Sequence, residues 1–335
     1  MIAERFDAAD SGALGAAAGA LSNGREAVLQ FSAPPYSSAH LDRINGLCQE
    51  HGDRLEVRFY AHYGGEFDFD VLDAVPSVTN LSTDCLQKAT NFEALGRLQK
   101  LRRLSFGIFE CSAKNVLDLL DPDSIRELSL GENRGRNFDL GRLREFRELR
   151  SLFIAGHTKS IESLADIPSL ESLRLSMIPK KQGLDFVSAI PRLRHQQLIL
   201  GGREDISEIQ GETIEELEIR RVRGLSQFPS LSSLPALRSL QIDDQLRLTE
   251  VEIQSQDSRL AKLVINNCKK LCRIEGLASL QGLEHLRLCV RDCLACVWIS
   301  AHGSGRPAPP LLDLGHGPPP RGERVNAPLS PLLPP

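Results

Sequence analysis

The chain has 335 residues, 40 basic and 44 acidic, for a net charge of −4, so no global field draws it toward nucleic acid or anionic lipid. No run approaches the roughly 18 apolar residues of a membrane span. The opening (Glu4, Arg5, Asp7, Asp10) lacks the basic region and apolar stretch of a signal peptide, so a cytosolic protein with no membrane contact is expected.

Residues 1–26 are rich in alanine and glycine with few large apolar groups, and read as a flexible leader. Ala27 to Ser32 reads as a strand. Ser37 to Gln49 reads as an amphipathic helix, because Leu41, Ile44, Leu47 and Cys48 share a face behind the Pro34-Pro35 break, with Ser37 placed to cap it. Leu55, Val57 and Phe59 alternate as a second strand. This strand, helix, strand unit, residues 27–77, is expected to cap a repeat array whose first coil would otherwise expose an apolar face and a strand edge.

From Val78 a frame of apolar, two free, apolar, one free, apolar recurs. Its first positions are Val78, Leu101, Ile125, Leu149, Leu170, Leu193, Ile214, Leu237, Leu260 and Leu283, separated by 23, 24, 24, 21, 23, 21, 23, 23 and 23 residues. The third and fifth positions after each anchor are apolar in most units, with Thr83 and Gln196 as the exceptions. Apolar residues two apart point to one side of a strand, which must be the interior. Ile161 to Pro168 and Ile274 to Leu280 keep inward apolar residues at the short spacing of 3₁₀ turns, and Asn115 to Leu120 reads as a fuller helical turn.

This frame resembles the leucine-rich repeat, in the short-unit class of phosphatase-regulating and bacterial internalin-type proteins. The resemblance covers Val78 to Leu288, about ten units. It implies an α/β solenoid with a curved parallel sheet, short 3₁₀ or helical convex segments, and a non-catalytic role as a protein-binding adaptor or regulator. One departure is the eighth position after the anchor, where the family usually places asparagine. Here it holds Asn133 and Cys268 once each, but Phe109, His157, Gly201, Val222 and Gln245 elsewhere, so irregular turns are expected.

After Leu288 the register fails, and ten of the chain's 19 prolines fall between Pro307 and Pro335. Residues 289–335 therefore read as an irregular, disordered tail, one that a shifted reading frame would also produce; the encoding DNA tests that. Pro-x-x-Pro spacings such as Pro307 to Pro310 suit polyproline-binding grooves, but in so Pro-rich a tail they read as coincidence. Cys289-x3-Cys293-x2-Cys296 resembles the iron-sulfur motif of radical S-adenosylmethionine enzymes, and with His302 those thiols would make a zinc set. The bland reading, small fillers at a fraying end, is preferred, so no cofactor or metal is expected. The eight cysteines, with Cys48, Cys85, Cys111, Cys268 and Cys272, are expected to be reduced and mostly buried. Gly201-Gly202-Arg203 reads as a plain loop, and no catalytic motif appears.

The outward positions of each strand form columns. The fourth-position column runs Ser82, Ser105, Ser129, Phe153, Arg174, Gln197, Glu218, Gln241, Val264, Arg287, and the second-position column includes Arg103, His195 and His285. An aromatic beside a charged neighbour, Phe153 with Arg174, and with Ile199 and Val264 further along, is what interfaces favour. The expected binding set is Arg103, Phe153, Arg174, Gln197, Glu218, Gln241, His285 and Arg287, on the concave face, for a protein ligand. The alternative is a recognition arm of an enzyme or effector system, or a metal-bearing C-terminal segment.

Overall fold

The computed structural model describes residues 3–289 except 9, 11, 63, 64, 136, 254–258, 278, 279 and 281, with the backbone of 298, 299, 312 and 313. It divides into two compact units, one running to Ile161 and the other beginning at Glu162.

The first unit opens with β1 (Glu4–Asp7), α1 (Ala13–Ser22), β2 (Ala27–Phe31), α2 (Ser38–His51) and β3 (Leu55–Tyr60). The stretch expected as a flexible leader is therefore folded. Ala13, Leu14, Ala17, Ala20 and Leu21 of α1 are buried, and β1 pairs in parallel with β2, Glu4 opposite Ala27. Alanine is the best helix former, and a face of methyl groups packs closely without needing large side chains. The expected second helix is present. Leu41, Ile44 and Cys48 are its buried face, and Ser37 occupies the N-cap, although its hydroxyl makes no capping bond.

Four repeat strands follow: β4 (Asn80–Leu86), β5 (Arg103–Ile108), β6 (Glu127–Leu130) and β7 (Ser151–Ala155). All pairs are parallel, Leu81 with Leu104, Leu104 with Leu128, Leu128 with Leu152, with a register shift in the first between Thr83 and Leu86. The core carries a chain of ring contacts, Phe59 to Phe67, Phe67 to Phe69, Phe69 to Phe92, Phe92 to Phe106, Phe106 to Phe138 and Phe138 to His157, with centroids 4.7–6.2 Å apart.

The second unit repeats the coil with β8 (Ser172–Ser176), β9 (His195–Ile199), β10 (Glu216–Arg220), β11 (Ser239–Asp243), β12 (Lys262–Asn266) and β13 (His285–Cys289). These also pair in parallel, here without register shifts. Each strand begins two residues after its anchor, and the anchors are buried, Leu283 only partly. Ile161–Asp166 forms the expected 3₁₀ turn, and Val116–Leu119, expected as a fuller helical turn, is also a short 3₁₀ turn. Where a further 3₁₀ turn was expected, Arg273–Glu275 instead pairs as a short strand with Glu250–Glu252. The fold in each unit is a leucine-rich-repeat solenoid.

The turns after the strands are more regular than the missing asparagines suggested. At the seventh position after the anchor, Cys85, Gly156, Met177, Leu200, Arg221, Asp244 and Asn267 all have φ between 51° and 75°, a left-handed conformation that L-residues adopt only when held. At three of the eighth positions a side chain other than asparagine does the holding. His157 Nδ1 accepts the Phe138 N–H at 3.1 Å while Nε2 meets the Gly131 carbonyl at 3.0 Å. Gln245 Nε2 donates to the carbonyls of Ile219 (3.1 Å) and Asp243 (2.8 Å). Cys268 Sγ reaches the Asn266 carbonyl at 3.4 Å.

Cys48, Cys111 and Cys268 are buried free thiols as expected, but Cys85 and Cys272 are exposed and Cys289 is half-buried. Cys85 occupies a left-handed turn position, which faces solvent. Cys293, Cys296, His302 and the Pro-rich segment, with its Pro-x-x-Pro spacings, lie outside the described residues.

Candidate functional site

In a parallel sheet the residues at one position of successive strands stand about 4.8 Å apart. In the second unit the fourth-position row is therefore a physical line. Arg174 opposes Gln197, Gln197 opposes Glu218, Glu218 opposes Gln241, Gln241 opposes Val264 and Val264 opposes Arg287. The second-position row beside it runs Ser172, His195, Glu216, Ser239, Lys262, His285. Four expected residues, Arg174, Gln197, Glu218 and Gln241, thus form one contiguous patch, and they line a shallow depression of about 170 Å³ with His195 and Lys262. A larger hollow of about 430 Å³ lies off this face, on the rim where β9 to β11 begin, between Arg192, Arg194, Glu212 and Glu215. The face is the better site, because its side chains converge on one half-buried carboxylate whereas the rim groups mostly point into solvent.

That carboxylate is Glu218, whose side chain is 26% exposed. Burial pushes its pKa up, the Arg220 charge opposes this, Asp243 adds to it, and the Gln197 hydrogen bond and the Arg174 charge pull it back. Arg220 Nη2 lies 2.5 Å from Glu218 Oε1 and 3.4 Å from Asp243 Oδ2. The first is a contact of charges without hydrogen-bond alignment, since the buried Oε1 accepts no bond. Asp243 is itself buried and accepts from Gln241 Nε2 at 2.6 Å and from Asn266 Nδ2 at 2.8 Å. Arg220, Asp243 and Asn266 sit at the sixth position after their anchors and were not among the expected residues. Strand alternation puts that position on the same face, so the signal was available.

The remaining expected residues are more scattered. Arg287 is exposed two rungs from Gln241, and the intervening Val264 is buried, not a surface apolar group. His285 is exposed at the end of the second-position row, beside Lys262. In the first unit Phe153 is half-buried, in line with Ser129, and Arg103 Nε is 3.1 Å from Glu127 Oε1. Among the described residues no three His, Cys, Asp or Glu side chains group to hold a metal ion, and no helix is long and apolar enough to cross a membrane. The patch offers amide, carboxylate and guanidinium groups in fixed places, which is equipment for recognition by hydrogen bonds and charge.

No protein-family model matches the chain, and no curated protein matches it. Solved structures are similar in fold. TLR13, in its complex with ssRNA13, is 14% identical over 78% of this chain and 41% of its own, with a TM-score of 0.49. Toll, in the Toll–Spatzle complex of Drosophila, is 13% identical over 86% and 44%, with a TM-score of 0.47. Internalin C2 of Listeria monocytogenes is 16% identical over 79% and 84%, with a TM-score of 0.32. The chain spans less than half the length of TLR13 and of Toll.

Proposed function

We propose that this chain is a protein-binding module, an adaptor or regulator, that captures its ligand on the open face of the second unit's sheet around Glu218. The observation that carries this reading is the partly desolvated Glu218 carboxylate, held in an in-register row of amides and guanidinium groups. Folding does not favour a charged group there: its raised pKa means stability is full below the ordinary glutamate range and is lost as pH rises through the folded value. A charge kept at such a place is poised to be used by a partner. The exposed free thiols of Cys85 and Cys272 favour a reducing, cytosolic setting.

The test compares the full chain with the triple variant Arg174→Ala, Glu218→Ala and Gln241→Ala in affinity capture from the native host. Each truncation at the centre of an interface is expected to cost about 1 kcal/mol or more, so the triple variant should lose its partner while keeping a near-native unfolding temperature. Glu218→Gln should be as stable as the parent or more so at pH 7, and yet bind less. Partners captured equally by parent and triple variant would sink the reading.

A further inference from the structure

Where the strands begin, each coil contributes one rim residue whose backbone N–H donates to the carbonyl of its predecessor. In the first unit Arg126 bonds to Arg102 at 2.7 Å and Arg150 to Arg126 at 2.8 Å. In the second unit Arg194 bonds to Glu171, Glu215 to Arg194 and Arg238 to Glu215, each at 2.8 Å. Side chains on such adjacent rungs feel each other's charge: opposite signs stabilise the pair and like signs destabilise it. The second unit follows that rule, alternating acid and base, and Arg194 Nη1 lies 3.5 Å from Glu215 Oε1. The first unit breaks it with three exposed arginines in succession.

The repulsion is barely compensated. Arg102 has Asp53 at 3.5 Å, but among the described residues neither Arg126 nor Arg150 pairs with a carboxylate. Glu127, next in sequence to Arg126, is taken by Arg103 at 3.1 Å. Among the described residues Asp123 and Glu148, in the preceding turns, form no ion pair either. A strip that the same fold neutralises elsewhere is here left cationic and open.

We propose that the row Arg102, Arg126, Arg150 is a docking strip for an acidic segment of a partner protein. Guanidinium groups present paired donors that match carboxylates. Three rungs span about 10 Å, the reach of three or four extended residues, whereas nucleic acid affinity grows from many phosphate contacts along a longer basic track. This strip lies in the other unit from the Glu218 face and has the opposite chemistry, so it stands or falls separately.

The experiment measures anisotropy of a fluorescein-labelled peptide of about ten alternating glutamate and serine residues with the full chain at low salt. The parent should bind saturably, and more weakly as salt screens the charges. Arg126→Ala with Arg150→Ala should weaken binding about tenfold or more, while Arg238→Ala, on the alternating rim, should leave it within about twofold. The double variant should also unfold at a temperature equal to or above the parent's, because the repulsion is gone, a result that a misfolded variant does not give. No saturable binding by the parent, equal affinity in the double variant, or tighter binding of a single-stranded DNA of matched charge would each overturn the proposal.

Discussion

His157→Ala is expected to lower the stability of the full chain by about 3 kcal/mol, read as a shifted urea midpoint at pH 7. The ring is 1% exposed and both nitrogens are engaged. Its tautomer follows from its partners: the Phe138 N–H can only donate and the Gly131 carbonyl can only accept, so Nδ1 is bare and Nε2 carries the proton. Alanine leaves both backbone groups buried without a partner and removes a ring stacked on Phe138 at 4.7 Å. His157→Asn should cost less, because the amide offers one donor and one acceptor at a position that asparagine usually fills in this repeat. Burial, opposed by the Gly131 bond, holds the His157 pKa below the ordinary histidine value. A depressed histidine binds fewer protons folded than unfolded, so its stability is present above about pH 6.5 and is lost as pH falls. His62, 3% exposed between the Tyr36 hydroxyl and the Tyr60 carbonyl, is shifted in the same direction by burial. The asparagine variant should therefore show a flatter loss of stability between pH 7 and pH 5, though not a flat one. Matching midpoints at pH 7 for parent and alanine variant would disprove the account.

The anchors and the inward third and fifth positions were legible because burial in a strand imposes a period of two and stacking imposes a period near 23. Even the exceptions went inward: Gln196 and Thr83 are buried, Gln196 bonding the Gln197 carbonyl at 3.1 Å and Thr83 the Ser105 carbonyl at 3.4 Å. The rows of the candidate face followed from the same alternation. What did not follow was the wiring of Arg220 to Glu218 and Asp243, because which charges meet depends on neighbours one coil away, brought together only by register. The α1 segment was misread for a different reason. Alanine and glycine composition looks like a mobile leader, yet alanines at helical spacing make a face thin enough to lie close against a sheet. The asparagine ladder was judged by residue type, whereas in some turns another buried side chain with a donor or acceptor takes that place, and in others, as at Gly201 and Val222, the same left-handed turn forms with none. Histidine, glutamine and cysteine are the substitutes that bond there.

The plain loop at Gly201-Gly202-Arg203 is the other place where composition hid a function in the fold. Arg203 is 5% exposed. Its guanidinium pairs with Glu208 Oε2 at 3.1 Å and also donates to the Gln182 carbonyl. Glu208 Oε2 in turn accepts the Leu184 N–H at 2.7 Å. One buried cation therefore ties the turn at 182–184 to the following coil, and the next coil rests on it. A methyl group on Gly224 would stand 2.5 Å from the Gly202 carbonyl oxygen and 2.6 Å from that of Arg203, both backbone atoms that have little room to yield. Arg203→Ala is expected to cost about 3 kcal/mol, since removing one partner strands the Glu208 carboxylate and the Gln182 carbonyl. The half-exposed Glu208 keeps the figure below that of a fully buried pair. Gly224→Ala should cost a similar amount by forcing the next coil off the 202–203 backbone. Because both disturb the 202–203 segment that lies between the two interfaces, the double variant should fall short of the sum. Urea unfolding of the parent, the two single variants and the double variant measures this. A loss under about 1 kcal/mol for Arg203→Ala, or strict additivity, would mean that the guanidinium does not hold the coils together.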